Sequence, residues 1–264
     1  MQLSSTMDRE ANRRRAAARV REAAGRGARL VVLPEAAMCS FGGAGTDLTA
    51  RAEPLDGPFV AGLQEVAGET GTTVVAGTFE PAGEPGRVHN TVVAVDGSGL
   101  LGRYRKVHLY DALGWRESDR IVPGDPADEP LVLAVGDLRF GVMNCYDLRF
   151  PEAARRLVDA GATALVEVAH WLPGPGKVDA WSVLLRARAI ECTAYVVAAA
   201  KPGPECAGHS MVVDPAGQVL AALGADETGL ATAEIRADRV AAVRASMPVL
   251  GHRRFTVVPG PPRP

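Results

Sequence analysis

Three residues of this chain join a reactive side chain to a place at the end of an apolar run. Cys145 ends the stretch Phe140-Gly141-Val142-Met143-Asn144 and lies six residues before Pro151, a residue suited to the first turn of a helix. A thiol at a sharp strand-to-helix exit is presented outward, near helix amides whose partial positive charge favours thiolate. The bland alternative is a small buried hydrophobe. Glu35 follows Leu30-Val31-Val32-Leu33-Pro34 and precedes Ala36-Ala37-Met38. Apolar flanks desolvate a carboxylate and raise its pKa towards the range of a general base, unless the side chain turns out to solvent. Lys106 ends Leu100-Leu101-Gly102-Arg103-Tyr104-Arg105. It is one of only three lysines, with Lys177 and Lys201, among 29 basic residues. In a chain that solvates itself with arginine, a lysine needs a reason. A compact ammonium suits the stabilisation of an oxyanion better than a planar fork does. Carboxylate base, ammonium and thiol nucleophile are complementary types, and their strand-end positions would set them at one edge.

The elements that position them follow from periodicity. An amphipathic helix over about 8–26, rich in arginine interleaved with Asp8, Glu10 and Glu22, ends at Gly27 before the buried run Leu30–Leu33. Pro58 opens a second helix. Strands at Thr73–Thr78, Asn90–Val95 and Leu100–Arg105 follow, the last two joined at Asp96-Gly97. Leu131–Val135 and Leu138–Asn144 form a hairpin, Pro151 opens a helix to about 160, and Ala164–Val168 reads as a buried strand. A helix over 177–191 precedes a strand at Ala194–Ala199, a hairpin of 209–213 with 218–223, a strand near 229–234 and a helix near 236–245. Residues 259–264 form a loose tail. The segments at 24–32 and 158–166 echo each other as helix end, Gly-Ala turn and buried strand, which suggests two related halves. Mixed hairpins and βα units point to a layered α/β sandwich in one domain spanning 1–264.

Leu33-Pro34-Glu35, Tyr104-Arg105-Lys106-Val107-His108-Leu109 and Asn144-Cys145-Tyr146-Asp147-Leu148-Arg149-Phe150-Pro151-Glu152 resemble, in order and spacing, the three catalytic signatures of the nitrilase superfamily. Flanking pieces fit as well: His89-Asn90-Thr91, Pro123-Gly124-Asp125, Arg186 to Glu191, and Gly208-His209-Ser210. The resemblance covers nearly the whole chain. It implies a four-layer αββα sandwich with two mixed sheets, a homodimer or higher homo-oligomer, and hydrolysis of a non-peptide C–N bond without metal or cofactor. Glu35, Lys106 and Cys145 would form the triad, acting through a thioester. Glu117 would match a second glutamate that positions substrate and Lys106, and the Tyr146 N–H would help hold the oxyanion. His170 and Trp171, beside the unusual Pro173-Gly174-Pro175-Gly176, would contact substrate. Asp147 and Arg149 would form an ion pair or hydrogen-bond set fixing the elbow, with His108 a positioned polar residue. The form of the cysteine signature resembles the omega-amidase and deaminated-glutathione amidase branch, favouring a small linear amide that bears a carboxylate. Alternatives are an N-carbamoyl amino acid hydrolase and a non-catalytic binding module.

The chain departs from the family pattern at two places. It opens at Met1-Gln2-Leu3 where the family has a full apolar strand, so either the natural protein is expected to begin further upstream or the first strand is shortened; and Cys192 stands where the family tends to have Asn. A net charge of −2 and a pI near 6.2 recruit no nucleic acid. No apolar run reaches the length of a membrane span, and no cleavable leader opens the chain. The four cysteines lack metal-ligand or CxxC spacing and read as reduced thiols of a cytoplasmic protein. There is no G-x-S-x-G elbow, and Gly42-Gly43-Ala44-Gly45 lacks the strand–turn–helix setting of a dinucleotide fingerprint.

Overall fold

In a computed structural model, which describes residues 1–43 and 45–260, the apolar runs and helical patterns assemble into two facing mixed sheets. The first half contributes α1 (Arg9–Gly25), β1 (Leu30–Val32), α2 (Pro58–Thr70), β2 (Thr73–Pro81), β3 (Val88–Asp96) and β4 (Gly99–Arg105). A small hairpin of β5 (Asp111–Ala112) and β6 (Trp115–Arg116) leads to a 3₁₀ turn at Glu117–Asp119. The second half holds β7 (Val132–Val135), β8 (Leu138–Asn144), a 3₁₀ turn at Cys145–Arg149, α3 (Pro151–Asp159), β9 (Ala164–Ala169), α4 (Lys177–Cys192), β10 (Tyr195–Ala200), β11 (Met211–Val213), β12 (Val219–Ala222) and α5 (Ala237–Ser246).

The first sheet runs β1-β2-β3-β4, with β1 parallel to β2 and the rest antiparallel. The second runs β12-β11-β10-β9-β8-β7, parallel at its centre and antiparallel at both edges. Val32, Val75, Val92 and Ala94 of the first sheet meet Phe140, Val142, Val166 and Val168 of the second. On the outer face of the first sheet, Val20 of α1 and Leu63 of α2 cover Val31, Val74 and Val93. On the outer face of the second, Leu157 of α3 and Leu185 of α4 cover Leu165 and Val196. The result is the αββα sandwich. Strands buried on both faces read as continuous apolar runs, which is why they were visible in the sequence.

The echo between the halves is a shared helix ending. Gly27 and Gly161 both take positive φ, 84° and 96°. Ala28 N donates to Ala23 O at 3.1 Å, and Ala162 N to Leu157 O at 3.0 Å. This is the six-to-one bond that closes a helix at a left-handed residue. Each turn feeds a strand, β1 or β9, that pairs in parallel with the next one, β2 or β10.

Two expectations are corrected. Residues 229–234 form no strand; Gly229 makes one antiparallel bridge to Gln2. That segment hands Leu230 to the outer core of the first sheet and Ile235 to the core between the sheets, so it crosses layers instead of lying along a sheet edge. The buried run Leu30–Leu33 is one residue shorter as a strand: Leu33 N still donates to Val75 O at 2.8 Å, and Pro34, which has no N–H, ends the ladder. Met1–Leu3 add no strand to either sheet. Gln2 is instead buried and held by its own side chain, which donates to Gly224 O and Glu227 O at 2.6 Å and accepts from Ser210 N at 2.8 Å. In the tail, Pro259 and Gly260 are irregular, and residues 261–264 lie outside the described residues. No helix among the described residues is long and apolar enough to cross a membrane.

Candidate active site

Glu35 stands where the chain leaves β1, and a glycine makes that exit fit. Gly77 N donates to Pro34 O and Gly77 O accepts from Met38 N. A Cβ at Gly77 would come 2.4 Å from Ala36 N and 2.6 Å from Glu35 Cα. A glycine inside a strand run, where another backbone can approach closely, was the signal available in the sequence for this contact. Lys106 is clamped similarly: its N–H donates to Asn90 O at 2.9 Å and its carbonyl accepts from Gly124 N at 2.8 Å. A Cβ at Gly124 would lie 2.4 Å from Arg105 O. This gives the His89-Asn90-Thr91 and Pro123-Gly124-Asp125 pieces a role, since Asn90 and Gly124 grip the Lys106 backbone from either side.

Inside, Glu35, Lys106 and Glu117 are joined in one hydrogen-bonded set. Lys106 Nζ donates to Glu35 Oε1 at 3.0 Å and to Glu117 Oε1 and Oε2 at 2.9 and 2.8 Å. Asn90 Nδ2 bridges the two carboxylates at 2.7 and 3.1 Å. Glu35 Oε2 accepts from the backbone N–H of His170 at 2.6 Å, and Glu117 Oε2 from that of Tyr110 at 2.8 Å. Glu35, Lys106 and Glu117 are each no more than 3% exposed. The β5–β6 hairpin, turning through Leu113 and Gly114 at φ 53° and 81°, delivers Glu117 to this set. Sequence reasoning had no element there, and the placement of Asn90 between the two glutamates was likewise not foreseen.

Cys145 occupies the turn between β8 and α3 with φ 56°. A non-glycine residue in the left-handed region costs on the order of 1–3 kcal/mol and needs surroundings that hold it. Asp147, fully buried, supplies them. Its Oδ2 accepts from Asn144 N at 2.9 Å and from the Tyr104 hydroxyl at 2.7 Å. Its Oδ1 accepts from His108, through the backbone N–H at 3.3 Å and with Nδ1 at 2.7 Å. His108 stacks on Phe150 at 3.8 Å. The elbow is thereby tied to the strand end that carries Lys106. From α4, Arg188 Nη2 donates to Leu148 O at 2.7 Å. Of the expected ion pair or hydrogen-bond set, Asp147 forms the hydrogen-bond set and Arg149 takes no part in it. It is exposed, with its guanidinium 5.0 Å from the Trp171 ring centroid, because Tyr104 and His108 already satisfy the carboxylate.

Two electrostatic expectations are reversed. Burial does push Glu35 up, but the Lys106 ammonium, His170 and Asn90 outweigh it and hold the carboxyl at about 2. Burial pushes Lys106 down, and Glu117 and Glu35 lift it well above an ordinary lysine. Cys145 is no poised thiolate: burial, then the charge of Glu35, raise it well above the usual thiol value, with Lys106 pulling the other way. The resting arrangement is a neutral thiol beside an ionised carboxylate and an ammonium.

All seven residues singled out from the sequence (Glu35, Lys106, Glu117, Cys145, Tyr146, His170 and Trp171) line one cleft. The Tyr146 ring meets Tyr110 edge-on at 5.0 Å. Burial depresses His170 to about 3, leaving a neutral imidazole with Cys206 Sγ 3.4 Å from Nδ1. Two further groups were missed. Lys177 joins the lining. Glu167 lies mid-strand in β9, wholly buried, with neither carboxyl oxygen hydrogen-bonded. Burial and the Asp147 charge push it well up, while the Cys145 N–H approaches without reaching hydrogen-bond geometry. A carboxylate inside Leu165-Val166-Glu167-Val168 was the available signal. Among the described residues no group of three His, Cys, Asp or Glu side chains is arranged to hold a metal ion.

The carbon–nitrogen hydrolase family model matches residues 1–245. A hydrolase of Mycobacterium tuberculosis (strain H37Rv) is 42% identical over 247 residues, covering 87% of this chain and 85% of the relative. The deaminated glutathione amidase of Escherichia coli O157:H7 is 40% identical over 227 residues, covering 86% of this chain and 85% of its own. Saccharomyces cerevisiae Nit3, a member of branch 10 of the nitrilase superfamily, superposes with a TM-score of 0.83 at 29% identity, over 96% of this chain and 94% of its own. The match takes in every wall of the cleft, and the chain therefore belongs to the carbon–nitrogen hydrolases of the nitrilase superfamily, enzymes that break C–N bonds.

Proposed function

We propose that the protein hydrolyses a small linear amide through a thioester on Cys145. What carries this reading is the sharing of one ammonium, Lys106 Nζ, by Glu35 and Glu117 in the cleft that also holds the thiol. With Glu35 held acidic and Cys145 held weakly acidic, proton transfer in the empty cleft is uphill. It becomes favourable as the sulfur–carbon bond forms, because the negative charge then moves to the amide oxygen. Glu35 takes the thiol proton and becomes neutral, so Lys106 loses one of its two counter-ions just as an oxyanion needs a cation. Glu117 keeps the ammonium in place, and the Tyr146 N–H shares the oxyanion. Glu35 then gives the proton to the departing nitrogen, and ammonia or an amine leaves. Water enters and loses a proton to Glu35 as it attacks the thioester. Collapse returns that proton to the sulfur and frees the acid.

The names of relatives, deaminated glutathione amidase among them, support an amide over a nitrile or a carbamoyl group. The test is an ammonia-release screen over alpha-keto-acid amides, deaminated glutathione and N-carbamoyl amino acids, with Cys145→Ala and Cys145→Ser beside wild type. Turnover by wild type with less than about 1% in both variants is expected, given the losses typical of a removed nucleophile. Undiminished turnover in the variants would assign the attack to another group.

A further inference from the structure

Of the three lysines, Lys177 is the one in the cleft without a carboxylate. Lys106 has two. Lys177 opens α4 directly after Pro173-Gly174-Pro175-Gly176 and is 8% exposed, so the ammonium is withdrawn from solvent. It is caged by aromatic groups: Nζ lies 5.0 Å from the ring centroids of both Tyr110 and Trp171, and 3.4 Å from the Tyr110 hydroxyl. Trp171 is held in turn, since its Nε1–H donates to Lys177 O at 2.9 Å. Arg149 packs against the same indole at 5.0 Å. Among the described residues neither cation has an acidic partner, and with burial the Arg149 charge pulls Lys177 below the usual lysine range. Two like charges held against one indole repel each other. A negative group arriving there gains the attraction of both and removes that repulsion.

We propose that Lys177, backed by Arg149 across Trp171, is the specificity-determining residue of the cleft and receives a carboxylate that the amide substrate carries away from its scissile bond. The assignment rests on the amidase reading and adds to it the acceptor of the acid group. A planar carboxylate fits an ammonium that already has one hydroxyl neighbour and aromatic walls, while Arg149, outside the cleft lining but against the same indole, adds positive charge behind it. The Pro-Gly segment thereby gains a role, because Gly176, at φ 69°, turns the chain so that the first side chain of α4 enters the cleft.

The experiment compares the monoamides of succinic, glutaric and adipic acids with the matching diamides, in which a neutral carboxamide replaces the carboxylate at almost equal size. Wild type is expected to favour the best monoamide over its diamide by roughly 30-fold or more in kcat/KM, the size of one charged pairing. In Lys177→Met that ratio should fall to within about threefold of unity, mostly through KM. Lys177→Arg should keep most of it, and Arg149→Gln should lower it by roughly three- to fivefold. An unchanged ratio in Lys177→Met, or a wild type indifferent to the carboxylate, overturns the proposal while leaving the amidase reading standing. If wild type hydrolyses none of these amides, protection of Cys145 from iodoacetamide by glutarate reads the subsite directly. Saturable protection in wild type that is lost in Lys177→Met supports it, and absence of protection in wild type refutes it.

Discussion

Strand β1 leaves α1 through Gly27 and runs out into Glu35; β9 leaves α3 through Gly161 and runs out into His170, whose backbone N–H donates to Glu35. The same sequence of helix, left-handed turn and parallel strand thus brings both halves to one cleft. What they bring differs. Glu35 has partners on both oxygens, an ammonium among them, and is ionised. Glu167, three residues before His170 on β9, is as deeply buried, has no hydrogen-bond partner on either oxygen, and is held neutral. Burial acts on both in the same direction, so partners, not depth, decide which acid carries charge. The thiol of Cys145 feels both.

Replacing Glu35 should break the comparison most severely. Glu35→Gln keeps the shape and loses the base of both half-reactions, and kcat should fall by about 100- to 10,000-fold. Lys106→Arg keeps the charge but not the compact ammonium, and a loss of about 100- to 1,000-fold is expected. Single-turnover rates check both; near-normal rates in Lys106→Arg would remove it from the oxyanion role. Next comes the backbone under Glu35. Gly77→Ala forces a methyl group against Ala36 N and Glu35 Cα, destabilising by about 1–3 kcal/mol, or roughly 2–9 °C in a thermal melt. Activity should drop further than the melt accounts for, since the displaced residue is the base.

Glu167 gives the smallest effect and the clearest sign. Glu167→Met removes two orphaned oxygens and should stabilise by on the order of 1–3 kcal/mol near neutral pH. Its folded pKa is raised, so its stabilising contribution is fully present below about pH 4.3, the unfolded value, and is lost as pH rises towards the folded one. The variant's advantage should therefore grow as pH rises above about 4. Glu35 runs the opposite way: its contribution is present above about pH 4.3 and disappears as pH falls through about 2. Melting curves across pH compare the two, and a Glu167→Met advantage that shrinks with rising pH would show the acid to be ionised in the fold.

The strands and the three catalytic candidates were legible because buried runs of Val, Leu and Ala are uninterrupted and the reactive residues end them. The groups that connect the candidates were not. Asn90 looked like one more strand residue until β3 placed its amide between Glu35 and Glu117. Glu117 sat in a stretch with no recognised element, because a two-residue hairpin has no periodicity to read. Protonation was misjudged for the same reason. Apolar neighbours along the chain argued for a raised Glu35, whereas the groups that set its charge come from 71 and 55 residues away along the chain, Lys106 and Asn90. Asp147 was expected in an ion pair or hydrogen-bond set at the elbow; its partners in that set, Tyr104 and His108, come from the strand end that carries Lys106, and Arg149 is not among them.

The central claim is that the cleft rests with a neutral thiol beside an ionised carboxylate, so that the proton leaves Cys145 only as it attacks. The ultraviolet thiolate absorbance of wild type minus Cys145→Ser, titrated from about pH 5 to about pH 10 across the ordinary thiol range, measures this directly. The difference signal is expected to stay absent through neutral pH and to show no midpoint below the free-thiol value of 9.0, because burial and Glu35 raise the group. A midpoint below about pH 7, as in a poised thiolate, would contradict the account.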